Sequence, residues 1–142
     1  MVRMEISLFL KNVPGELGKL GTLLGDKNIN IDALTIQDAS AYVMELFKAR
    51  DSAEFALIRL LVDQTDNAID LLTQNDYIFD ILPVIAVHLE NKPGKLAEIA
   101  TKLGEEGINI NYIYGSVAGP DDKSFFVFSP EDIELAAKVY AQ

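Results

Sequence analysis

The sequence predicts an α+β chain built from two consecutive β-α-β-β-α-β modules, the second without its final strand. Three observations carry this. The stretch Asn12-Val13-Pro14-Gly15-Glu16-Leu17 returns later as Asn91-Lys92-Pro93-Gly94-Lys95-Leu96. Aligning 6–36 with 85–115 gives 12 identities in 31 positions. In each copy a run that alternates like a strand precedes the Pro-Gly step, and a run with helical spacing follows it.

The elements follow in order. Residues 3–10 alternate, with Met4, Ile6, Leu8 and Leu10 on one face and Glu5, Ser7 and Phe9 on the other. That is a half-buried strand, and Phe9 indicates that the outer face is partly covered. Pro14-Gly15 opens a helix over 15–26, with Leu17, Leu20 and Leu24 as one apolar stripe. Asn28 stands where a left-handed C-cap residue is wanted, and its counterpart is Gly107. Ile29 to Ile36 reads as a second strand, with Ile29, Ile31 and Ala33 opposite Asn30, Asp32 and Leu34. Residues 39–51 have no counterpart in the second copy. They suit either a short helix capped by Ser40, with Val43, Leu46 and Phe47 inward, or a long hairpin extension. Residues 54–62 form a third strand, Asp66 to Gln74 a second helix with Ala68, Ile69, Leu71 and Leu72 inward, and Asn75-Asp76 a turn. Tyr77 to Ile81 is a short fourth strand. The first module is therefore 1–82, with its insertion at about 39–51.

The second module spans 83–142. Ile85, Val87 and Leu89 repeat Ile6, Leu8 and Leu10. A helix over 94–105 carries Leu96, Ile99, Ala100 and Leu103. A strand at 108–117, a Gly-Pro-Asp-Asp loop at 119–122 and a strand from Ser124 to Phe128 follow. The last helix opens at Ser129-Pro130-Glu131, with Ser129 as cap and Pro130 in the first turn. Its inward side is Ile133, Leu135, Ala136, Val139 and Tyr140. Such modules fold in the ferredoxin-like, split β-α-β manner, with antiparallel strands in the order 4-1-3-2 and both helices on one face. The strand missing from the second module would flank strand 84–90. An uncovered edge is a liability, so a strand from the first module or from a second subunit should pair there.

Composition narrows the chemistry. The chain has 142 residues, 49% hydrophobic and 24% charged, which reads as globular. The absence of cysteine removes disulfides, thiolate nucleophiles, cysteine zinc sites and iron–sulfur clusters. A net charge of −10 with 12 scattered Lys and Arg residues argues against nucleic acid. Glu5 comes too early for a signal peptide. No apolar run approaches the roughly 20 residues a membrane span needs. The expectation is a soluble cytoplasmic protein with no membrane partner, no metal and no cofactor.

The two Pro-Gly steps are the candidate binding device. Free N–H groups at a helix start meet small anions such as a carboxylate. Gly15 and Gly94 leave the backbone approachable, and an Asn amide offers both a donor and an acceptor. The structural alternative stays open: Pro-Gly also turns a corner, and Asn at a turn also bonds its own backbone. The leucine stripes read as core. His88, the only histidine, aligns with Phe9 on the outer face and suits a surface or interface residue rather than a catalyst. Asp121-Asp122 suits a solvated turn rather than a metal site. Glu105-Glu106 ends a helix, where acids are slightly unfavourable, without a functional reason.

A β-α-β-β-α-β module with Asn-x-Pro-Gly-x-Leu at its first strand–helix junction and Ile-Asn-Ile at its second strand (29–31 and 108–110) resembles the ACT domain. This is the small regulatory module of amino-acid-metabolism enzymes such as phosphoglycerate dehydrogenase and aspartokinase. Two copies in tandem look like the stand-alone tandem ACT proteins, and the resemblance covers nearly everything except about 39–51. It implies a non-catalytic regulatory protein that binds an amino acid at an interface between modules. The turn residues Asn12 and Asn91 and the strand residues Asn30 and Asn109 of a neighbouring module would touch the ligand. Val13, Pro14, Gly15, Leu17 and Ile31 would surround it in one copy, and Lys92, Pro93, Gly94, Leu96 and Ile110 in the other. A homodimer and a regulated enzyme partner are implied as well. The insertion and the missing strand depart from the pattern and imply sites of unequal affinity. Two other readings compete. One is a scaffolding ACT dimer that has lost its ligand. The other is an enzyme on the same fold, such as an acylphosphatase, whose phosphate loop calls for an arginine that neither turn here contains.

Overall fold

The computed structural model describes residues 2–39, 55–117 and 123–141. The expectations for Ser40, Val43, Leu46 and Phe47 in the insertion, and for the 119–122 loop with Asp121-Asp122, fall outside the described residues. Among the described residues six strands and four helices run in the order β1 (Val2–Lys11), α1 (Glu16–Asp26), β2 (Ile31–Asp38), β3 (Phe55–Val62), α2 (Thr65–Gln74), β4 (Phe79–Glu90), α3 (Lys95–Glu105), β5 (Ile110–Val117), β6 (Lys123–Pro130) and α4 (Ile133–Ala141). The pairings of β1 and β2 with β3, and of β4 and β5 with β6, are antiparallel. The fold class is α+β, two ferredoxin-like modules in tandem. Among the described residues no helix is long and apolar enough to cross a membrane. The chain divides into two compact units, Glu5–Leu82, and Pro83–Gln142 together with Met1–Met4.

In the unit Glu5–Leu82 the strand order is β2-β3-β1. Ile6, Leu8 and Leu10 of β1 and Ile58, Leu60 and Val62 of β3 share one face. They bury against Leu20 and Leu24 of α1 and Ala68, Leu71 and Leu72 of α2. Full burial of each such Val, Leu or Ile side chain is worth about 1.5–3 kcal/mol. The alternation of β1 fails at its start: Met4 is exposed and Glu5 is fully buried. The Glu5 carboxylate lies 4.0 Å from Arg59 Nε, and a buried charge requires such a partner. Leu61 is also fully buried on this outer face, whereas Phe9, from which cover was expected, is 37% exposed.

In the second unit the order is β4-β6-β5. Ile85 and Val87 pack with Ile99 and Leu103 of α3, Phe128 of β6 and Ala136 of α4. The Phe128 ring meets Tyr140 at 5.6 Å and 60°, and the Tyr140 hydroxyl donates to the Ile99 carbonyl at 3.3 Å. The compact unit also takes in Met1–Met4, from the opening of β1.

Four expectations need correction. Tyr77 to Ile81 and 84–90 do not form two strands; one continuous strand, β4, runs Phe79–Glu90 with Pro83 inside it. Proline fits a strand where its missing N–H is not needed. Ser129 and Pro130 do not open α4. They end β6, with Pro130 opposite Ile110, and Asp132 caps the helix by accepting the Leu135 N–H at 2.9 Å. Leu17 and Leu96 are not core, being 40% and 46% exposed. Only Leu20 and Leu24 of α1, and Ile99 and Leu103 of α3, are buried in those helices. Ala100 is exposed as well.

Candidate functional site

Each Pro-Gly step builds the same turn. Pro14 and Gly15 occupy the two central positions, and the Glu16 N–H donates back to the Val13 carbonyl at 3.4 Å. The copy matches, with Lys95 N–H to the Lys92 carbonyl at 3.3 Å. Gly15 adopts φ 94°, ψ −19° and Gly94 φ 93°, ψ −9°, the left-handed third position of a type II turn. Proline presets the second position and glycine alone reaches the third without strain. A Cβ built at either glycine meets nothing within 4 Å. Glycine is therefore required by dihedral angle, not by crowding.

The turn hands directly to the helix. Lys19 N–H donates to the Gly15 carbonyl at 2.9 Å and Glu98 N–H to the Gly94 carbonyl at 3.0 Å. The N–H groups of Leu17, Gly18, Leu96 and Ala97 precede these first i→i−4 bonds and are not used by the helical ladder. No side chain caps either helix. The exposed Leu17 and Leu96 stand beside those N–H groups, so each helix start offers donors next to apolar surface. The helices also end alike. Asn28 (φ 57°) and Gly107 (φ 71°) are both left-handed. Ile29 N–H reaches the Leu24 carbonyl and Ile108 N–H the Leu103 carbonyl, the double closure of a Schellman motif.

The strand asparagines are pinned by their backbones. The Asn30 carbonyl accepts from Asp63 N–H at 3.1 Å and the Asn109 carbonyl from Glu131 N–H at 2.8 Å. Their side chains are exposed and turn to the next-but-one residue: Asn30 Nδ2 donates to Asp32 Oδ1 at 3.1 Å, and Asn109 Nδ2 to Asn111 Oδ1 at 3.4 Å. Ile31 and Ile110 are half-buried, each leading its strand.

Register decides which of these residues meet. Lys11, just before Asn12, pairs with Phe55 at the start of β3. Ile31, just after Asn30, pairs with Val62 at its end. In the copy, Glu90 pairs with Lys123 and Ile110 with Pro130, the two ends of β6. The turn Asn and the strand Asn of one module therefore lie at opposite ends of an eight-residue strand, roughly 24 Å at 3.4 Å per residue. No single module brings them together.

The two turns differ in charge. Lys92 Nζ lies 2.9 Å from Glu90 Oε2. This hydrogen bond and the attraction between the charges raise the Lys92 pKa and lower that of Glu90. Val13 holds the equivalent place in the first turn and is 46% exposed. Sequence reasoning missed an open cavity of about 1120 Å³ in the first unit, on the flank of α1. Phe9, Leu10, Leu23, Phe55, Tyr77 and Ile78 form its apolar wall, with Lys11, Glu16 and Lys19 at the turn end. Burial, then the Glu16 carboxylate, push the Tyr77 phenol pKa up. Asn12, Val13, Pro14 and Gly15 do not line it. Its walls come from four separated segments, so no motif or period marks it. His88 stacks at 4.7 Å on Phe125, its cross-strand partner on the outer face. Among the described residues no group of three or more His, Asp or Glu is arranged to hold a metal.

Comparison with solved structures finds the same architecture elsewhere. A protein from Bacteroides thetaiotaomicron is 28% identical, with a TM-score of 0.82 over 99% of this chain and 88% of its own. A structure of aspartokinase alpha and beta subunits is 17% identical, with a TM-score of 0.60 over 99% of this chain and 93% of its own. The ligand-free regulatory subunit of aspartate kinase from Thermus thermophilus is 15% identical, with a TM-score of 0.59 over 100% and 94%. At such identities the last two show the fold alone. Comparison with curated proteins returned no significant match. The family model for an ACT domain pair matches residues 1–141, and the duplicated turn, the repeated Schellman closure and the two ferredoxin-like modules agree with it: the chain belongs to the ACT domain family, as an ACT domain pair.

Proposed function

We propose that this ACT domain pair is a non-catalytic, cytoplasmic regulatory protein that binds an amino acid where two modules meet and passes occupancy to a partner enzyme. The observation that carries the reading is the turn built twice: a left-handed glycine at a helix start without a side-chain cap, beside an exposed leucine. The ligand carboxylate meets the N–H groups of Leu17 and Gly18, or of Leu96 and Ala97. Asn12 or Asn91 takes the remaining polar atoms, and the ligand side chain rests on Leu17 or Leu96. Val13, Pro14 and Gly15, or Lys92, Pro93 and Gly94, shape the turn. Asn30 with Ile31, or Asn109 with Ile110, comes from a neighbouring module, because their own lies a strand length away. A homodimer supplies such neighbours.

Calorimetry with the twenty amino acids tests this. Saturable heat for at least one, weakened in both Asn12→Ala and Asn91→Ala, is expected. Silence across the panel refutes the reading. A second reading, a scaffolding ACT dimer without ligand, is favoured by the side-chain bonds of Asn30 to Asp32 and Asn109 to Asn111, which already engage the Nδ2 of each amide. It predicts that silence.

A further inference from the structure

The duplication makes one module a control for the other, and the two differ along the flank of α1 that borders the open cavity of about 1120 Å³. Glu16, Lys19, Leu23 and Asp26 lie three and four residues apart on that flank, so the cavity follows one side of the helix. Its run from Glu16 to Asp26 is roughly 15 Å at 1.5 Å per residue. Phe9, Phe55 and Tyr77 bring three aromatic rings to the wall. Ile78, also on the wall, is 83% exposed, more than any other large apolar side chain described.

The second module keeps the backbone and changes this surface. His88, Lys95, Glu98 and Lys102 stand where Phe9, Glu16, Lys19 and Leu23 do, and Lys123 pairs with Glu90 as Phe55 pairs with Lys11. That flank is charged and wet: Lys102 and Lys123 are exposed, and Lys95 Nζ reaches Glu98 Oε1 at 3.2 Å. In the first module Glu16 is half-buried and makes no ion pair with Lys19 or any other described residue. Its charge reaches into the cavity, where it adds to burial in pushing the Tyr77 phenol up. A carboxylate drawn toward apolar surface without a counter-ion is costly, and aromatic faces themselves attract cations. Asp26 and Asp76 add to the negative field of the wall. Lys11 and Lys19 are exposed, with stems long enough to carry their ammonium groups into water.

We propose that this cavity of the first module is a binding site for an organic cation: an amine with a large apolar or aromatic body and no carboxylate. The ammonium sits on Glu16, and the body lies against Phe9, Leu23, Phe55 and Tyr77. The volume exceeds the roughly 300–1,000 Å³ of common small-molecule sites, so a fused aromatic ring fits. A free carboxylate on the ligand would meet the acids of the wall and be repelled. The site lies apart from the Pro-Gly turn, because Asn12, Val13, Pro14 and Gly15 do not line it. It therefore stands independently of the amino-acid reading above, and the second module has no equivalent of it.

Amide-resolved NMR titration of the full chain with tryptamine at neutral pH tests it. Tryptamine is expected to shift the Leu23, Tyr77 and Ile78 amides saturably. Indolepropionate, which keeps the ring and reverses the charge, should leave them in place. Glu16→Gln should weaken tryptamine binding by about 10-fold or more, whereas Lys95→Gln, at the equivalent position of the second module, leaves it unchanged. Leu23→Lys copies the residue that the second module already carries on this flank, so it should keep the fold and abolish binding. No saturable shift with tryptamine, equal or tighter binding of indolepropionate, or binding indifferent to Glu16→Gln or Leu23→Lys overturns the proposal. Tryptamine has no carboxylate to place on a helix start. A silent amino-acid panel would therefore leave this site standing, and failure here would leave amino-acid binding to be judged by calorimetry alone.

Discussion

Two glycines of α3 should respond in opposite directions to the same substitution. Gly94 sits at φ 93° at the helix start, and Gly104 lies inside the last turn with no positive φ. Neither has an atom within 4 Å of a built Cβ, so alanine clashes at neither and dihedral preference is isolated. An L-residue held in the left-handed region costs roughly 1–2 kcal/mol, so Gly94→Ala should destabilise by about that much. Gly104→Ala should stabilise by about 0.4–1 kcal/mol, because alanine has fewer unfolded conformations to lose. The pair should therefore differ by roughly 1.5–3 kcal/mol. With a urea m-value near 2 kcal/mol per molar, Gly94→Ala lowers the midpoint by about 0.5–1 M. Urea unfolding followed by far-UV circular dichroism, at one fixed protein concentration, reads both. Should the two variants shift the midpoint in the same direction, the account of the turn as a dihedral device is wrong, and with it the reason for glycine in the candidate site.

Other outcomes follow from single contacts. Gly115→Ala places a methyl 2.4 Å from the Phe126 ring and 2.9 Å from the Phe125 carbonyl; it should cost about 1–3 kcal/mol, and Phe126→Leu in the same chain should recover part of the loss in a denaturation series. Asp132→Ala removes the cap of α4 and should lower stability by about 1 kcal/mol, whereas Ser129→Ala, at the end of β6, should matter less. Burial pushes the Tyr140 phenol up to about 12 from 10.0. A raised folded value means that its contribution is intact below pH 10 and is lost as pH climbs through 10 to 12. Absorbance titration should show a phenol titrating near 12 that disappears in Tyr140→Phe.

Elements with a strong period were legible in the sequence; boundaries set by tertiary context were not. The left-handed closures at Asn28 and Gly107 were readable because few residues tolerate that conformation, and two different tolerant residues stood at matching places. The type II turn was readable in position from Pro-Gly, although its glycine answers to φ rather than to an approaching ligand. Leu17 and Leu96 carried the helical period yet lie in the first turn, where the core residues begin only at Leu20 and Ile99. Ser129-Pro130 imitated a helix start, but β5 claims both as strand partners through Tyr112 and Ile110. The inversion at Met4 and Glu5 had no local signal at all, since burying Glu5 depends on Arg59, more than fifty positions away. For the candidate site, the residue types were legible and their separation was not. That Asn12 and Asn30 end up at opposite poles is a product of register.

That separation has a consequence for how such a protein would be used in a cell. A free amino acid is far shorter than β3, so a solitary module can grip it by one end only. On the reading proposed above, full engagement then requires a second module to meet the first around the solute, and where that module belongs to another copy the response grows more steeply than linearly with the amount of protein made. In that case expression level would set the threshold: a scarce chain would ignore a metabolite that an abundant one would report.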